Sequence, residues 1–186
     1  VRPDLISLMK LFFYLSLPLF ILDQLSKLWI VMTFPIPPEM PRVIEVIPGF
    51  FNIVRVHNTG MAFGLLNGNP YSNWIFGTIG IVAIGGIVTL FRRGMFPDKL
   101  SKVAAALLLS GIIGNLTDRA LPGRGYVVDF LDFLPPFYDK LVPSSGGHFP
   151  SFNVADSCIC IAAGLLIISA FRTPKEETAT PKESEA

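Results

Sequence analysis

The chain contains little charge. Only 16% of its 186 residues are Asp, Glu, Lys or Arg, and 51% are hydrophobic. A typical soluble domain has about 25% charged residues, so this composition argues against an ordinary soluble globule and excludes a largely disordered protein. The formal net charge is only +1, so no nucleic-acid partner is predicted.

Residues that bind metals or form disulfides are also scarce, with two cysteines and two histidines. Cys158 and Cys160 lie two positions apart in an apolar run, where a helix would point them in different directions. We predict no disulfide and expect both to be small apolar core residues. His57 and His148 are far apart in sequence, and the motifs H-E-x-x-H and G-x-S-x-G are missing. No metal and no cofactor is predicted.

Four long apolar blocks dominate the chain. Each is close to the roughly 20 residues that cross a bilayer core as a helix. A buried core helix would explain one block, but the remaining sequence is too short to enclose four. The first block lacks a small-residue cleavage site and is expected to be a retained helix, not a cleaved signal peptide. The predicted transmembrane helices cover approximately residues 11–34, 74–91, 100–118 and 153–171.

Basic residues predict the orientation of these helices. Nine of the fifteen Lys and Arg residues precede the first block, lie between the second block and the start of the third (Lys102 included), or follow the fourth. We therefore expect residues 1–172 to form a single polytopic membrane domain with both termini in the cytoplasm. Segments 35–73 and 119–152 would then lie outside. The charged tail, 173–186, is expected to be a disordered cytoplasmic extension.

The outer segments are expected to hold more than simple loops. Residues 43–66 contain β-like runs such as 50–56, separated by Pro-Gly and Asn-Thr-Gly. The predicted fold class is thus an all-α membrane protein with four transmembrane helices and a small extracytoplasmic β-sheet, or cradle, between helices one and two. In the second outer segment, residues 133–151 are rich in Pro, Gly and Ser, which fits either a mobile flap or an inert insertion.

Polar residues cluster where a membrane should exclude them, and such residues are candidates for function. Several have structural interpretations when taken singly. Asp23 and Lys27 lie four residues apart on one helix face and fit a structural ion pair. An Asp–Arg pair at a helix end, such as the one at 118–119, fits a clamp.

The acids at the outer helix ends are harder to explain as caps. Asp156 would suit the first turn of a helix capped by Ser151 or Asn153, and Asp129 alone would suit a turn or a cap. The predicted orientation of the helices, however, places both acids at one membrane depth, where they can converge. Two close carboxyls cannot both ionise easily, so one keeps its proton. The ionised partner can take a proton from water while the other donates one, which is the chemistry of an aspartic peptidase.

Five short motifs carry a resemblance to a known family. The chain resembles bacterial lipoprotein signal peptidase (signal peptidase II), a family of membrane aspartic peptidases. The motifs are DQLSK at 23–27, VRVHNTGMAFG at 54–64, GIIGNLTDR at 111–119, VVDF at 127–130 and FNVADS at 152–157.

This resemblance implies both site residues and partners. It implies that the catalytic dyad is Asp129 and Asp156. It places supporting polar residues at Asp23, Asn58, Asn115, Arg119 and Asn153. It implies cleavage of a diacylglyceryl-modified prolipoprotein on the N-terminal side of the lipidated cysteine, without a metal, in the bacterial inner membrane. Membrane lipids and globomycin-type inhibitors are the other partners it implies, and a monomer is expected.

Two other functions fit some of the same residues. A proton- or ion-coupled carrier would also place carboxylates on transmembrane helices, but nearer the bilayer midplane and within paired inverted halves. A purely structural membrane scaffold would need neither Asp129 nor Asp156 for its function.

Overall fold

The structure is a computed structural model that describes residues 6, 9–37, 42–60, 69 and 71–172. The predicted disorder of 173–186 and the MAFG part of the second motif, at 61–64, lie outside the described residues. In chain order the elements are α1 (Met9–Thr33), β1 (Ile44–Ile47), β2 (Phe51–Asn58), α2 (Ser72–Arg92), α3 (Lys99–Ala120), β3 (Val127–Phe133), the short α4 (Tyr138–Leu141), a 3-10 turn (Pro143–Ser145) and α5 (Val154–Ala170).

Three helices of the described residues, α1 to α3, are long and apolar enough to cross a bilayer. Helix α5 is equally apolar but has 17 residues. Large hydrophobic side chains such as Met32, Trp74 and Val82 are exposed on α1 and α2. Exposed apolar surface on this scale suits contact with lipid rather than water. A count of four membrane spans stays a prediction.

Small residues let α3 pack closely against α5. Ala104 and Leu107 of α3 form a buried cluster with Cys158 and Ala162 of α5. A Cβ at Gly111 would lie 2.6 Å from Ile159 Cγ1 and would collide with the Ala155 carbonyl oxygen. Close backbone approach of this kind is common where membrane helices associate.

A polar contact joins the start of α3 to the last turn of α5. Asp98 caps α3 by accepting a hydrogen bond from Ser101 N at 2.8 Å, and it also accepts one from Ser169 Oγ of α5 at 2.5 Å. These bonds, with that from Ser169 the largest cause, lower the pKa of Asp98. The cap therefore fixes both the start of α3 and its position beside the last turn of α5.

A three-stranded antiparallel sheet joins two distant parts of the chain. The strand order is β1-β2-β3, with Phe51 opposite Phe133 and Val56 opposite Asp129. A bulge in the β2–β3 pairing lies between Ile53 and Val56. The predicted sheet between helices one and two was therefore incomplete, because its third strand follows α3 and carries Asp129.

The sheet packs against the end of α1. Ile30 and Phe34 of this region form a buried cluster with Val128 and Phe130 of β3. Arg55 of β2 donates hydrogen bonds from Nη1 to the Phe34 carbonyl at 2.7 Å and the Val31 carbonyl at 3.1 Å. These bonds satisfy carbonyls that the end of a helix leaves without partners, and they fix the sheet over α1.

One prediction follows from the close packing of α3. Gly111→Ala would force the Ala155 backbone and the Ile159 side chain to move. We expect it to lower the free energy of unfolding by about 1–3 kcal/mol, the usual cost of overpacking. Thermal unfolding of the purified protein in detergent measures this change.

Gly164→Ala is the matched control, because a Cβ at Gly164 in α5 meets nothing within 4 Å. Alanine favours a helix interior over glycine by about 1 kcal/mol, so this variant should be neutral or slightly stabilised. Equal melting temperatures for the two variants would contradict the packing described here.

Candidate active site

Asp129 lies on β3 with its carboxyl group only 2% exposed to solvent. Two amide side chains donate hydrogen bonds to it from either side. Asn58 Nδ2 of β2 lies 3.0 Å from Oδ2, and Asn153 Nδ2 lies 2.7 Å from Oδ1. The carboxyl is therefore held in one orientation between β2 and the residue that precedes α5.

Asp156 lies in the first turn of α5 and is half-buried. Asn115 of α3 donates from Nδ2 to its Oδ1 at 2.7 Å. Asn153 caps the helix reciprocally: its backbone N–H donates to Asp156 Oδ2 at 3.2 Å, and its Oδ1 accepts from the Asp156 backbone N–H at 2.9 Å. The capping prediction for Asn153 is correct, and the same residue also contacts Asp129.

Asn153 is the link that brings the two acids together. It is completely buried and touches both carboxyl groups through different atoms. Its Nδ2 also lies 3.2 Å from Asn115 Oδ1, so the amides of α3 and of the α5 cap form one network around the acids. Of the supporting residues that the sequence predicted, Asn58, Asn115 and Asn153 thus contact Asp129 or Asp156 directly.

Burial and charge proximity favour a proton shared between the acids. Burial raises the pKa of Asp129 to about 7, and the neighbouring Asp156 carboxyl is the next cause. The hydrogen bonds from Asn58 and Asn153 oppose this rise. Near neutral pH the pair can therefore contain one protonated and one ionised carboxyl, with the proton belonging to the pair.

A buried ion network lies beside the dyad. Lys27 of α1 has no exposed surface, and its Nζ lies 2.9 Å from Asp23 Oδ2, 3.0 Å from Asp118 Oδ2 and 3.0 Å from Asn115 Oδ1. Asp23 also accepts a hydrogen bond from the Ala155 backbone N–H at 2.9 Å. Asp23 and Lys27 are therefore the structural pair that the sequence predicted, and they also hold the start of α5.

Arg119, near the end of α3, contacts residues that follow β2 and residues in the first turn of α2. Its Nη2 donates to the Gly60 carbonyl at 2.7 Å and its Nη1 to Asn73 Oδ1 at 3.2 Å. In place of the clamp expected between Asp118 and Arg119, the structure shows this contact of Arg119 with a backbone carbonyl. Asp118 instead pairs with Lys27 and with Arg124, whose Nη1 lies 2.6 Å away. Arg119 does not touch either acid of the dyad but fixes the chain just after Asn58.

Some residues around the site had no clear signal in the sequence. Arg55 Nε donates to His57 Nε2 at 3.0 Å, and the His57 ring stacks on Tyr126 with centroids 3.7 Å apart. Burial, then the charges of Arg55 and Arg124, lower the pKa of His57 to about 4, so the ring is neutral. An Arg within a β-like run was the only hint of this cluster, since Tyr126 lies 71 residues from Arg55 in the chain.

The described residues hold no group of three or more His, Cys, Asp or Glu side chains arranged to bind a metal. Both cysteines are free. Cys158 is buried as predicted, but Cys160 is exposed, so the expectation of two core residues was wrong for Cys160. Two positions on a helix are separated by about 200°, which places Cys160 on the outer face of α5.

Comparisons with known proteins show the family to which the chain belongs. A model of the family "Signal peptidase (SPase) II" matches residues 15–172. The lipoprotein signal peptidase of Symbiobacterium thermophilum is 37% identical over 159 residues, which cover 86% of this chain and 93% of that protein. The lipoprotein signal peptidase of Alteromonas mediterranea is 39% identical over 162 residues, 87% of this chain and 80% of that protein.

Solved structures show the same similarity. A bacterial membrane enzyme determined at 2.3 Å by the in meso method has a TM-score of 0.69 and 34% identity, covering 92% of this chain and 91% of that one. These similarities and the apolar helices define a membrane peptidase. The chain belongs to the signal peptidase II family. The expected family resemblance is thereby confirmed, and a peptidase is selected over the carrier and scaffold alternatives.

The buried ammonium group gives a stability prediction. Lys27→Met would leave the buried carboxylates of Asp23 and Asp118 without their shared cation. Removing one partner of a buried ion pair typically costs about 3–5 kcal/mol, so a large fall in melting temperature is expected in detergent.

Lys140→Met is the matched control, since Lys140 is exposed and its Nζ lies 5.0 Å from the centre of the Phe137 ring. Its melting temperature should stay close to that of the wild type. A Lys27→Met protein as stable as this control would show that the ion network contributes little.

Proposed function

We propose that the chain is an aspartic endopeptidase that removes the signal peptide from diacylglyceryl-modified prolipoproteins. In this proposal Asp129 and Asp156 are the catalytic dyad, and cleavage occurs on the N-terminal side of the lipidated cysteine. The observation that carries the proposal is the bridge by Asn153, which holds two carboxyl groups of unlike exposure in one hydrogen-bonded site. Relatives with 37–39% identity are named lipoprotein signal peptidases, which supports the substrate class.

The dyad can supply both proton transfers that peptide hydrolysis needs. The ionised carboxyl removes a proton from a water molecule, which attacks the carbonyl carbon of the scissile peptide bond. The protonated carboxyl donates to the carbonyl oxygen and, as the tetrahedral intermediate collapses, a proton reaches the leaving nitrogen. A pKa of Asp129 near 7 suits this exchange, because either form of the pair is accessible near neutral pH.

The supporting residues have distinct roles in this proposal. Asn58, Asn115 and Asn153 hold the carboxyl groups in position. Arg119 holds the chain after β2 through the Gly60 carbonyl, so that this chain segment can border the substrate. Asp23 positions the start of α5 through the Ala155 N–H. None of these groups has to change its covalent bonding.

A membrane-edge site matches the substrate. The signal helix of a prolipoprotein lies in the bilayer, and its lipidated cysteine lies near the outer interface. Asn115 and Asp156 lie at the end of α3 and the start of α5, which meet at one level of the molecule. With the orientation predicted from the basic residues, we propose an inner-membrane enzyme with cytoplasmic termini and an extracytoplasmic site. Membrane lipids and globomycin-type inhibitors are the other proposed partners, and the proposed state is a monomer.

The direct test is cleavage of a purified diacylglyceryl-modified prolipoprotein in detergent. Asp129→Asn and Asp156→Asn should each lower kcat by about 10²–10⁴-fold, because each removes one proton-transfer group. The cleaved signal peptide, detected by mass spectrometry, also identifies the bond that breaks.

Asp139→Asn is the control for this test, because Asp139 is an exposed acid in the short helix α4. It should keep the wild-type rate. Wild-type turnover in either dyad variant would refute the assignment of that acid, and an uncleaved substrate with the wild type would refute the proposed function.

Asn58 generates a prediction about pH. Its hydrogen bond stabilises the ionised form of Asp129 and lowers the pKa of that group. Asn58→Ala should therefore raise the pKa of Asp129, which ionises after Asp156, so the singly ionised dyad persists to higher pH. The alkaline limb of the profile of kcat/KM against pH should move upward.

Asn69→Ala, at an exposed position before α2, should leave that limb in place. An alkaline limb that stays fixed, or moves to lower pH, in Asn58→Ala would argue against Asp129 as a titrating member of the pair.

A further inference from the structure

A second buried acid lies on β3, and the proposed chemistry does not use it. Asp132 is only 4% exposed. Its Oδ2 accepts a hydrogen bond from Asn52 Nδ2 of β2 at 3.0 Å. His148 Nδ1 lies 2.9 Å from Oδ1 and 3.0 Å from Oδ2 of the same carboxylate. His148 belongs to the chain segment that leads into α5 and is half-exposed.

The contacts of Asp132 repeat those of Asp129. Asp129 joins Asn58 of β2 to Asn153, and Asp132 joins Asn52 of β2 to His148. Each acid thus connects the same three parts of the chain: β2, β3 and residues 148–153. Because three positions separate the acids on a strand, their side chains leave opposite faces of the sheet.

Residues 148–153 run along the free edge of β3, but their backbone pairing is incomplete. Phe149 N donates to the Phe133 carbonyl at 2.8 Å, and Phe152 exchanges hydrogen bonds with Leu131 at 2.9 and 3.1 Å. Pro150, between them, has no N–H to donate. The contact between His148 and Asp132 therefore supplies a side-chain attachment at the start of a segment with few backbone bonds.

The residues before this segment are held to one another and not to the sheet: Gly147 N donates to Ser145 Oγ at 3.1 Å and His148 N to the Ser145 carbonyl at 3.2 Å. Gly146 and Gly147 both have positive φ angles, 62° and 89°, a region that glycine enters at little cost. Without the His148 contact, the segment could shift along β3 from this end. Asn153 lies at the other end, where its hydrogen bonds to the two acids measure 2.7 to 3.2 Å.

We propose that Asp132 and His148 are positioning residues for cleavage: their contact fixes residues 148–153 along β3 and so places Asn153 between the two acids. The proposal rests on the proposed function. A displacement of about 1 Å at a catalytic group is enough to cost about 100-fold in rate, so a contact remote from the scissile bond can control kcat. For a contact that acts by positioning Asn153, we expect kcat to fall and KM to change little.

The test compares two substitutions of one half-exposed residue. His148→Leu removes the donor to Asp132, whereas His148→Asn keeps an N–H donor close to the position of Nδ1. With the purified protein and diacylglyceryl-modified prolipoprotein, His148→Leu should lower kcat by about 10- to 100-fold with KM little changed. His148→Asn should recover most of that loss, and the melting temperatures of both variants should match.

A second measurement needs no substrate. The Asp156 N–H is held by Asn153 Oδ1, so its hydrogen exchange should become faster in His148→Leu and stay near the wild-type rate in His148→Asn. Peptides that cover 149–157 report this exchange by mass spectrometry.

The possible results separate the two proposals. An unchanged kcat in His148→Leu, an equal loss in His148→Asn, or a loss confined to KM would overturn the positioning role. If the wild type does not cleave the prolipoprotein, the proposed function fails. Hydrogen exchange then decides the positioning role alone, and equal rates in all three proteins would overturn it.

Discussion

The buried ammonium group of Lys27 is the contact on which the site depends. It neutralises Asp23 and Asp118, and it holds Asn115, which in turn donates to Asp156. An isolated charge at this depth would cost far more than a surface charge, so the cation and its carboxylates must be buried together. Helices α1 and α3 are therefore joined by the same contact that orients one of the two acids.

Close packing and the polar network require each other. Gly114 lies beside Asp23, where a Cβ would be 2.7 Å from Oδ2, so the ion pair fits only against a glycine. Gly111, one turn away, admits the backbone of α5. The GIIGN sequence thus places two glycines toward neighbouring helices and then Asn115 toward the dyad. In this way the spacing of small residues on α3 determines how closely the polar groups of three helices can approach one another.

The sequence predicted the helices well, because long apolar runs mark them directly; their observed ends differ from the expected ones by one or two residues. The acids stood out because charge is scarce near the membrane. The third strand was missed, since VVDFLDF is largely buried and shows no simple alternation, and its partner lies more than 70 residues away. The contacts of Arg55, Asp118 and His148 were unpredictable for the same reason: each depends on pairing between distant segments.

Asn153 caps α5 and also bridges the two acids, so the start of a helix and the geometry of a site are specified by one side chain. Each residue of an α-helix turns the next side chain by about 100°. If α5 began one residue earlier or later along the chain, Asp156 would rotate away from Asn115 while the hydrophobic contacts of the helix slid out of register. Under the proposed mechanism, activity would then depend on the residue at which the last helix begins. A chain with the right secondary structure but the wrong helix start would be inactive.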